Sequence, residues 1–431
     1  MDETTTNKKK RKKQKGSCYQ CGQLDHRAKD CPNITPTASS YLQFAKREAP
    51  PDLGQFAASS SANTTTTTTN DGFTYIELFA GVGGFRLALD RLGGLCVFAS
   101  EVDRFCIKNY QMNFNGDRPA GDINRIPSNS IPDHDLLVGG FPCQPFSSSG
   151  TKAGLADTEK GVLFREITRI LKDKQPKAFL LENVRGLLLH NDGHTFTIIR
   201  TELEECGYTV CYELVDAVNL LAQERKRLYI VGIRNDIDCT SYTFPSSIPN
   251  LGRGFKDIIQ QHDLSKEEIE SLTLTPHQLN KVKVQTYTQK YPESRFLCNL
   301  SLPSKTIQSS YSSYMVGSQF IPVLPNDSSM SESKVSHDDE HIKWRRFSHR
   351  EVARLQGFPE TFHLCSQRAY HQLGNAVAPP LIAILAAPLL QSLGLAKNND
   401  NVDWGWNVAK ELLIEASPND YRRIELKKKL V

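Results

Sequence analysis

Cys143 stands between two prolines in Gly139-Gly-Phe-Pro142-Cys143-Gln-Pro145, directly after an apolar run. Most lone cysteines are buried as small apolar groups. A cysteine on so stiff and polar a turn, at the mouth of a strand, reads instead as a nucleophile. Attack requires the thiolate, so an acid or base and cations should stand close to it. Glu182-Asn183-Val184 closes the next apolar run, and Gln223-Glu224-Arg225-Lys226-Arg227 precedes the last. Glu182, Arg225 and Arg227 are the candidate partners.

A second group of residues suits a nucleotide-like cofactor. Ile76-Glu-Leu-Phe79-Ala-Gly81-Val-Gly83-Gly84-Phe reads as a strand entering a glycine turn that opens a helix. Glycines there let a ligand approach backbone amides, although a tight structural turn explains such a segment alone equally well. Glu101 follows about 20 residues on, where a carboxylate can hold ribose hydroxyls. Asp122, in Gly-Asp-Ile, falls at the expected end of a third strand and could accept an adenine amine.

The third constellation is Cys18, Cys21, His26 and Cys31, spaced C-x2-C-x4-H-x4-C. Three thiolates and an imidazole form a closed tetrahedral Zn2+ set, and so short a peptide has no core without the ion. With Tyr19 and Gly22 the module resembles the CCHC zinc knuckle of retroviral type, although Asp25 stands where that family more often has glycine. The resemblance implies binding of single-stranded nucleic acid or RNA, with bases stacked on the aromatic residue. A zinc module that binds protein is the alternative.

The elements that must position these residues are legible in the texture of the chain. Its 431 residues are 39% hydrophobic and 23% charged, ample for two to three domains. No run of 18 apolar residues occurs, so no membrane partner is expected, and the polar opening does not read as a secretory signal. Eleven scattered cysteines read as reduced thiols of an intracellular protein. The net charge of +4 is carried by the first 31 residues, with the run Lys8–Lys15 at their centre. That run suits nuclear import or a phosphate-seeking arm, or else a solubilising tail.

From Thr74, apolar runs alternate with helical patterns: TYIELFA then FRLALDRLG, LCVFASEVD then FCIKNYQMN, DLLVGGFP then VLFREITRILKD, AFLLENV then HTFTIIRTELEECG, and lastly RLYIVGIR. This alternation predicts an α/β fold, a doubly wound, mostly parallel sheet covered on both faces. The expected organisation is a basic tail (1–16), the knuckle (17–32), a Thr-rich linker (33–72) and a catalytic and cofactor lobe (73–234). A smaller target-recognition lobe (235–300) follows, then segments closing the catalytic lobe (301–396, with a polar insertion at 325–341) and a C-terminal tail with a short helix (397–431).

Taken together, these segments resemble the cytosine-C5 DNA methyltransferase family, which uses S-adenosyl-L-methionine. The match runs from about Tyr75 to Leu395: the Phe79–Phe85 turn, Pro142-Cys143-Gln144, Glu182-Asn183-Val184 and Gln223-x-Arg225-x-Arg227. Arg346-Phe-Ser-His-Arg-Glu-Val-Ala-Arg354-Leu-Gln-Gly-Phe-Pro-Glu and Gln372-Leu-Gly-Asn375-Ala-Val377 complete it. The resemblance implies the methyltransferase fold and assigns roles. Phe79 would stack on the cofactor adenine, Glu101 bind the ribose, and Asp122 with Ile123 flank the adenine. Gly81 and Gly83 would bind the cofactor by bringing backbone amides of the turn to it, and the backbone around Asn375 and Val377 would complete the pocket. Cys143 would attack C6 of a cytosine flipped out of duplex DNA, so that C5 accepts the methyl group. Glu182 would bond N3 and the exocyclic amine, Arg227 would contact O2, and Arg225 would brace the site. Family catalysis needs no metal, so Zn2+ would belong to the knuckle alone.

Two other readings stay open. One branch of the family methylates transfer RNA, and knuckles favour single strands; the Cys-Phe-Thr tripeptide of that branch is absent. A catalytically silent nucleic-acid-binding adaptor is the other. In the recognition region, Lys281, Lys283, Tyr287, Lys290, Tyr291 and Arg295 could contact phosphates or form a solvated face. The recognised bases are not legible.

Overall fold

The computed structural model describes residues 72–142, 162–237, 242–259, 263–283, 300–313, 319–323, 343–365, 368–396, 403–418 and 426–428. The basic run, the residues expected to hold Zn2+ (Cys18, Cys21, His26 and Cys31), the stretch up to residue 71, Cys143 and the segment 325–341 lie outside them. So do Tyr287, Lys290, Tyr291 and Arg295, while Lys281 and Lys283 are described by backbone alone.

In chain order the elements are β1 (Thr74–Leu78), α1 (Gly84–Leu89), β2 (Leu95–Ser100), α2 (Arg104–Asn113), β3 (Leu136–Gly140), α3 (Val162–Lys174), β4 (Ala178–Val184), α4 (Gly186–Leu189), α5 (His194–Glu204), β5 (Tyr208–Asp216) and β6 (Lys226–Arg234). There follow α6 (Lys266–Leu272), α7 (Pro276–Lys283), β7 (Ile321–Pro322), β8 (Trp344–Arg345), α8 (His349–Leu355), α9 (Ala369–Asn375), α10 (Pro379–Ser392) and α11 (Trp404–Glu415).

Six strands form one sheet in the order β2-β1-β3-β4-β6-β5. The first four run parallel, and β6 is antiparallel to both of its neighbours. Central parallel strands are buried on both faces and so are largely apolar, with Glu77 in β1 and Glu182 and Asn183 in β4 as buried polar exceptions. Their period of two divides the core. Tyr75, Leu136, Val138 and Leu180 face one side with Phe85 and Leu89 of α1 and Leu385 and Leu389 of α10. Ile76, Leu137, Phe179 and Leu181 face the other with Ile167, Ile170 and Leu171 of α3 and Ile199 and Leu203 of α5. Helices therefore cover both faces, as the alternation predicts.

That alternation does not mark Tyr208–Asp216 as a strand. β5 is the sheet edge, partly exposed along most of its length and carrying Glu213 and Asp216, so its apolar signal is weak. α11 buries Val408, Ala409, Leu412 and Leu413, and Gly405 lets it close on α10, since a Cβ there would lie 2.6 Å from that of Ala387. The stretch Ala369–Ser392 is long and apolar enough to cross a membrane, but 89% of its most apolar window is buried inside the fold. It is a core element, consistent with its place among the helices on the β1 side.

Between residues 235 and 300 the described parts are short. α6 begins with a capping box between Ser265 and Glu268, and Thr273 bridges to Arg345 beside the β7–β8 pair.

Candidate active site

Three loops knit together at the C-terminal ends of β1 and β2, next to the point where the strand order turns from β1 towards β3. Such a switch point is where an open α/β sheet leaves a crevice. The Ala80 amide donates to the Ser100 carbonyl at 2.9 Å, and the Ser100 hydroxyl to the Gly121 carbonyl at 2.7 Å. These bonds fix Phe79–Gly81, Glu101 and Gly121–Ile123 side by side.

Glu101 accepts from the Gly81 amide at 2.7 Å and from the Val102 and Asp103 amides at 2.8 Å each. Burial raises its pKa, with the three amides working against that rise. Asp122 does not end a strand. It caps the short turn Ile123–Arg125, accepting from the Asn124 amide at 3.1 Å, and the third strand begins later, at Leu136. The Gly121 bond to Ser100 nevertheless brings Asp122 and the buried Ile123 alongside Glu101.

The glycines of the turn have separate tasks. Gly83, at φ +85°, could carry no side chain, because a Cβ would lie 2.2 Å from Phe114 Cε2. Gly84 is pressed against Val377, whose Cγ2 would be 2.7 Å from a Cβ. At Gly81, with φ +56°, the nearest atom to a Cβ would be the Phe79 carbonyl oxygen at 4.0 Å. The open position is Gly81. Phe79 itself holds φ +55°, partly buried against the α3 side of the core.

The second half of the site lies at the same edge of the sheet. Gly140 ends β3 opposite Glu182 of β4, and Phe141 and Pro142 lead from it towards Cys143. Because β6 runs backwards, its first residues arrive at the edge where β3 and β4 end, with Arg227 in register with Val184. Arg227 Nε meets Glu182 Oε1 at 3.0 Å, and both side chains are nearly buried. Burial raises the Glu182 pKa against the pull of Arg227 and Arg225. A carboxyl whose neutral form is favoured in this way is suited to proton transfer.

Arg225 is fully enclosed. Its Nη2 donates to the carbonyls of Gly374 at 3.2 Å and Ala376 at 2.5 Å, on either side of the exposed Asn375. Burial and the like charge of Arg227 pull its pKa down to about 9, opposed by Glu182. Val377 sits 2.7 Å from a Cβ built on Gly84 and 3.9 Å from one on Gly140, where Glu182 Oε2 is also 3.6 Å away. One valine thus joins the glycine turn, the end of β3 and the buried carboxyl.

Three residues singled out only as parts of motifs prove structural. Asn183, 2% exposed, donates to the Phe141 carbonyl at 3.1 Å and accepts from the Val184 amide at 2.8 Å. Gln223 donates to the Leu355 carbonyl at 3.1 Å and accepts from the Ile307 amide at 2.9 Å. Glu224 holds Lys305 Nζ at 2.5 Å, so Ser304–Thr306 docks on the segment before β6. Beneath the glycine turn, Glu77 accepts from the Tyr110 hydroxyl at 3.1 Å, and Arg86 links that hydroxyl to Asp90 and Asp117. Burial raises Glu77 to about 8, with Arg86 opposing.

Comparison with known proteins agrees with this geometry. The family described as C-5 cytosine-specific DNA methylase matches residues 73–391, and the zinc knuckle family matches residues 16–33. The Type II methyltransferase M1.ScrFI of Lactococcus lactis subsp. cremoris is 39% identical over 331 residues, covering 75% of this chain and 80% of its own. The Type II methyltransferase M.HhaI of Haemophilus parahaemolyticus is 32% identical over 339 residues, covering 75% and 95%. Among solved structures, the S. pombe Dnmt2 methyltransferase superposes with a TM-score of 0.56 at 21% identity, covering 74% of this chain and 99% of its own, a likeness of fold.

Proposed function

Because this chain belongs to the C-5 cytosine-specific DNA methylase family, we propose that its strand-edge site carries out DNA cytosine-5 methylation with the residues assembled above in distinct roles. The chain is a DNA cytosine-5 methyltransferase. The observation that supports the assignment of roles is the Glu182–Arg227 pair, nearly buried, across from the end of β3 that leads to Cys143.

The cofactor half fits S-adenosyl-L-methionine. Gly81 leaves open space in the turn, Val102 is 68% exposed beside Glu101, and Phe79, Asp122 and Ile123 border the same crevice. When bound, the cofactor supplies a methyl group on a sulfonium centre. Glu101 would hold the ribose, Phe79, Asp122 and Ile123 the adenine, and the backbone from Asn375 to Val377 would close the pocket.

At the other half, the Cys143 thiolate adds to C6 of a cytosine flipped out of the duplex, and electron density moves to C5. Glu182, its pKa raised by burial, bonds N3 and the exocyclic amine and supplies the proton N3 gains as the adduct forms. Arg227 contacts O2, and Arg225 holds Asn375 and Val377 in place. After C5 accepts the methyl group, the C5 hydrogen leaves as a proton and the thiolate departs from C6, restoring the double bond.

Zn2+ would be held by Cys18, Cys21, His26 and Cys31, a donor set suited to it. The knuckle would then engage single-stranded nucleic acid or RNA away from catalysis, and the basic run Lys8–Lys15 supports a nuclear location. The test is transfer of labelled methyl groups to duplex DNA and total RNA in parallel. Label recovered as 5-methylcytosine in DNA is expected. Label in RNA alone would overturn the DNA assignment, and none in either, with cofactor bound, would favour a silent adaptor.

A further inference from the structure

A cavity of about 470 Å³ lies where the segment 309–312 meets the starts of α8 and α9. Ser309, Ser310, Ser312, His349, Arg368 and His371 line it, with no carboxylate among the described lining residues. The three serine hydroxyls make no hydrogen bond among the described residues. The His349 ring stands edge-on to Tyr370, centroids 4.5 Å apart, which fixes the imidazole. Burial, with the charge of Arg346 nearby, lowers its pKa and so favours the neutral imidazole. Arg368 reaches Asp103 Oδ2 at 3.3 Å and lies over the Phe105 ring, but its side chain is 59% exposed, and an ion pair that open holds a guanidinium only weakly. Hydroxyls, imidazoles and a guanidinium converging on one space suit an oxyanion with several acceptor oxygens.

The cavity is also tied to the catalytic edge. Ser309 packs on Gly374 so closely that a Cβ there would lie 2.5 Å from the Ser309 nitrogen, and the Gly374 carbonyl is held by Arg225. The chain entering the cavity from Ser304–Thr306 is docked on Gln223 and Glu224. An oxyanion seated here therefore has a fixed distance to Glu182 and Arg227. A free anion has no use for that constraint. A nucleic-acid strand whose base must enter the site does, because backbone contacts set its register.

We propose that this cavity is a phosphodiester subsite that seats a backbone phosphate of the DNA substrate. It rests on the DNA reading above, and its six polar side chains place the strand without reading its sequence.

The test is duplex binding by fluorescence anisotropy across a salt series, on the full chain. Arg368→Asn keeps a residue that tolerates the left-handed backbone at this position, φ 63°. It should weaken binding roughly tenfold and lower the slope of log K against log salt by about 1. A Ser309→Ala, Ser310→Ala, Ser312→Ala variant should weaken binding without altering the slope, since the lost donors are neutral. Asp103→Asn, which frees Arg368 from its carboxylate, should not reduce the slope. Cofactor affinity and the thermal midpoint report whether each variant is folded. Unchanged affinity and slope in folded Arg368→Asn and triple-serine variants would overturn the subsite while leaving the DNA reading standing. Shifts of the His349 and His371 imidazole signals with inorganic phosphate, without any change in the DNA slope, would make it a free-anion site and equally overturn it. Wild-type protein that binds no duplex would remove the DNA reading and this subsite together.

Discussion

Replacing Asn183 with alanine removes the donor that holds the Phe141 carbonyl, two residues before Cys143. Both residues are buried, Asn183 at 2% exposure and Phe141 at 5%, so water cannot substitute for the lost amide. A buried carbonyl left without a partner costs about 1–3 kcal/mol, and the vacated amide volume adds to that. The chain can recover part of this by letting Phe141 and Pro142 shift, and a displacement of about 1 Å at a reacting atom costs on the order of 10²-fold in rate. Single-turnover methyl transfer, measured well below the thermal midpoint, should therefore fall by about 10- to 100-fold in Asn183→Ala. Cofactor affinity should stay within about 2-fold, because the Phe79–Gly84 turn makes no bond to Asn183. Asn183→Asp keeps the acceptor for the Val184 amide but turns a carboxylate towards the Phe141 carbonyl, so it should be no better than alanine. A folded Asn183→Ala variant with wild-type single-turnover rate would refute the view that this amide positions the nucleophile.

Other outcomes follow from the same structure. Cys143→Ser should abolish turnover while cofactor binding persists, since serine lacks a thiolate at neutral pH, and duplex carrying 5-fluorocytosine should trap the wild-type chain covalently but not this variant; undiminished turnover would end the covalent mechanism. Glu77 keeps its proton to about pH 8 in the folded protein against 4.5 for an ordinary carboxyl, so between these the folded state holds more protons and stability falls as pH rises, by at most about 1.4 kcal/mol per pH unit. Thermal midpoints of Glu77→Gln across that window should decline less steeply than those of the wild type, and parallel curves would contradict the assignment. Deleting residues 1–72 should spare methylation of short duplexes and weaken binding to long nucleic acid; loss of catalysis by a folded truncated chain would refute that division of labour.

Much of the site was legible because its residues close local patterns. Glu182 ends an apolar run, Glu101 follows one, and both lie at strand ends where a parallel sheet exposes its crevice. Asp122 closes no such pattern, since it caps a short turn. The stretch between α2 and β3 is irregular, and its position is set by the Ser100–Gly121 and Ala120–Ala99 bonds to a neighbouring strand end, which no period records. β5 is faint in the sequence because an edge strand with one wet face carries little apolar signal. The tasks of Gly83 and Gly84 were equally hidden, since they depend on Phe114 and Val377, one nearby in sequence and one almost 300 residues on.

The reversed strand β6 shows why the remainder needed three dimensions. Were it parallel to β4, Lys226 and Arg227 would open at the far end of the sheet, away from Glu182. Running backwards, it delivers Arg225 and Arg227 to the edge where β3 and β4 finish, and its approach segment supplies Gln223 and Glu224 to dock Ser304–Thr306. Arg225 then reaches across 149 and 151 positions of sequence to the carbonyls of Gly374 and Ala376. Two charges two residues apart thus do unlike work. Arg227 meets the buried carboxyl, and Arg225, enclosed and carrying its charge at a cost of burial, fastens the segment 374–376 to the start of β6. That fastening couples the halves of the site. A methyl donor and an acceptor base must meet within a near-attack distance of each other, and a shift of either wall relative to the other would be felt directly in the rate.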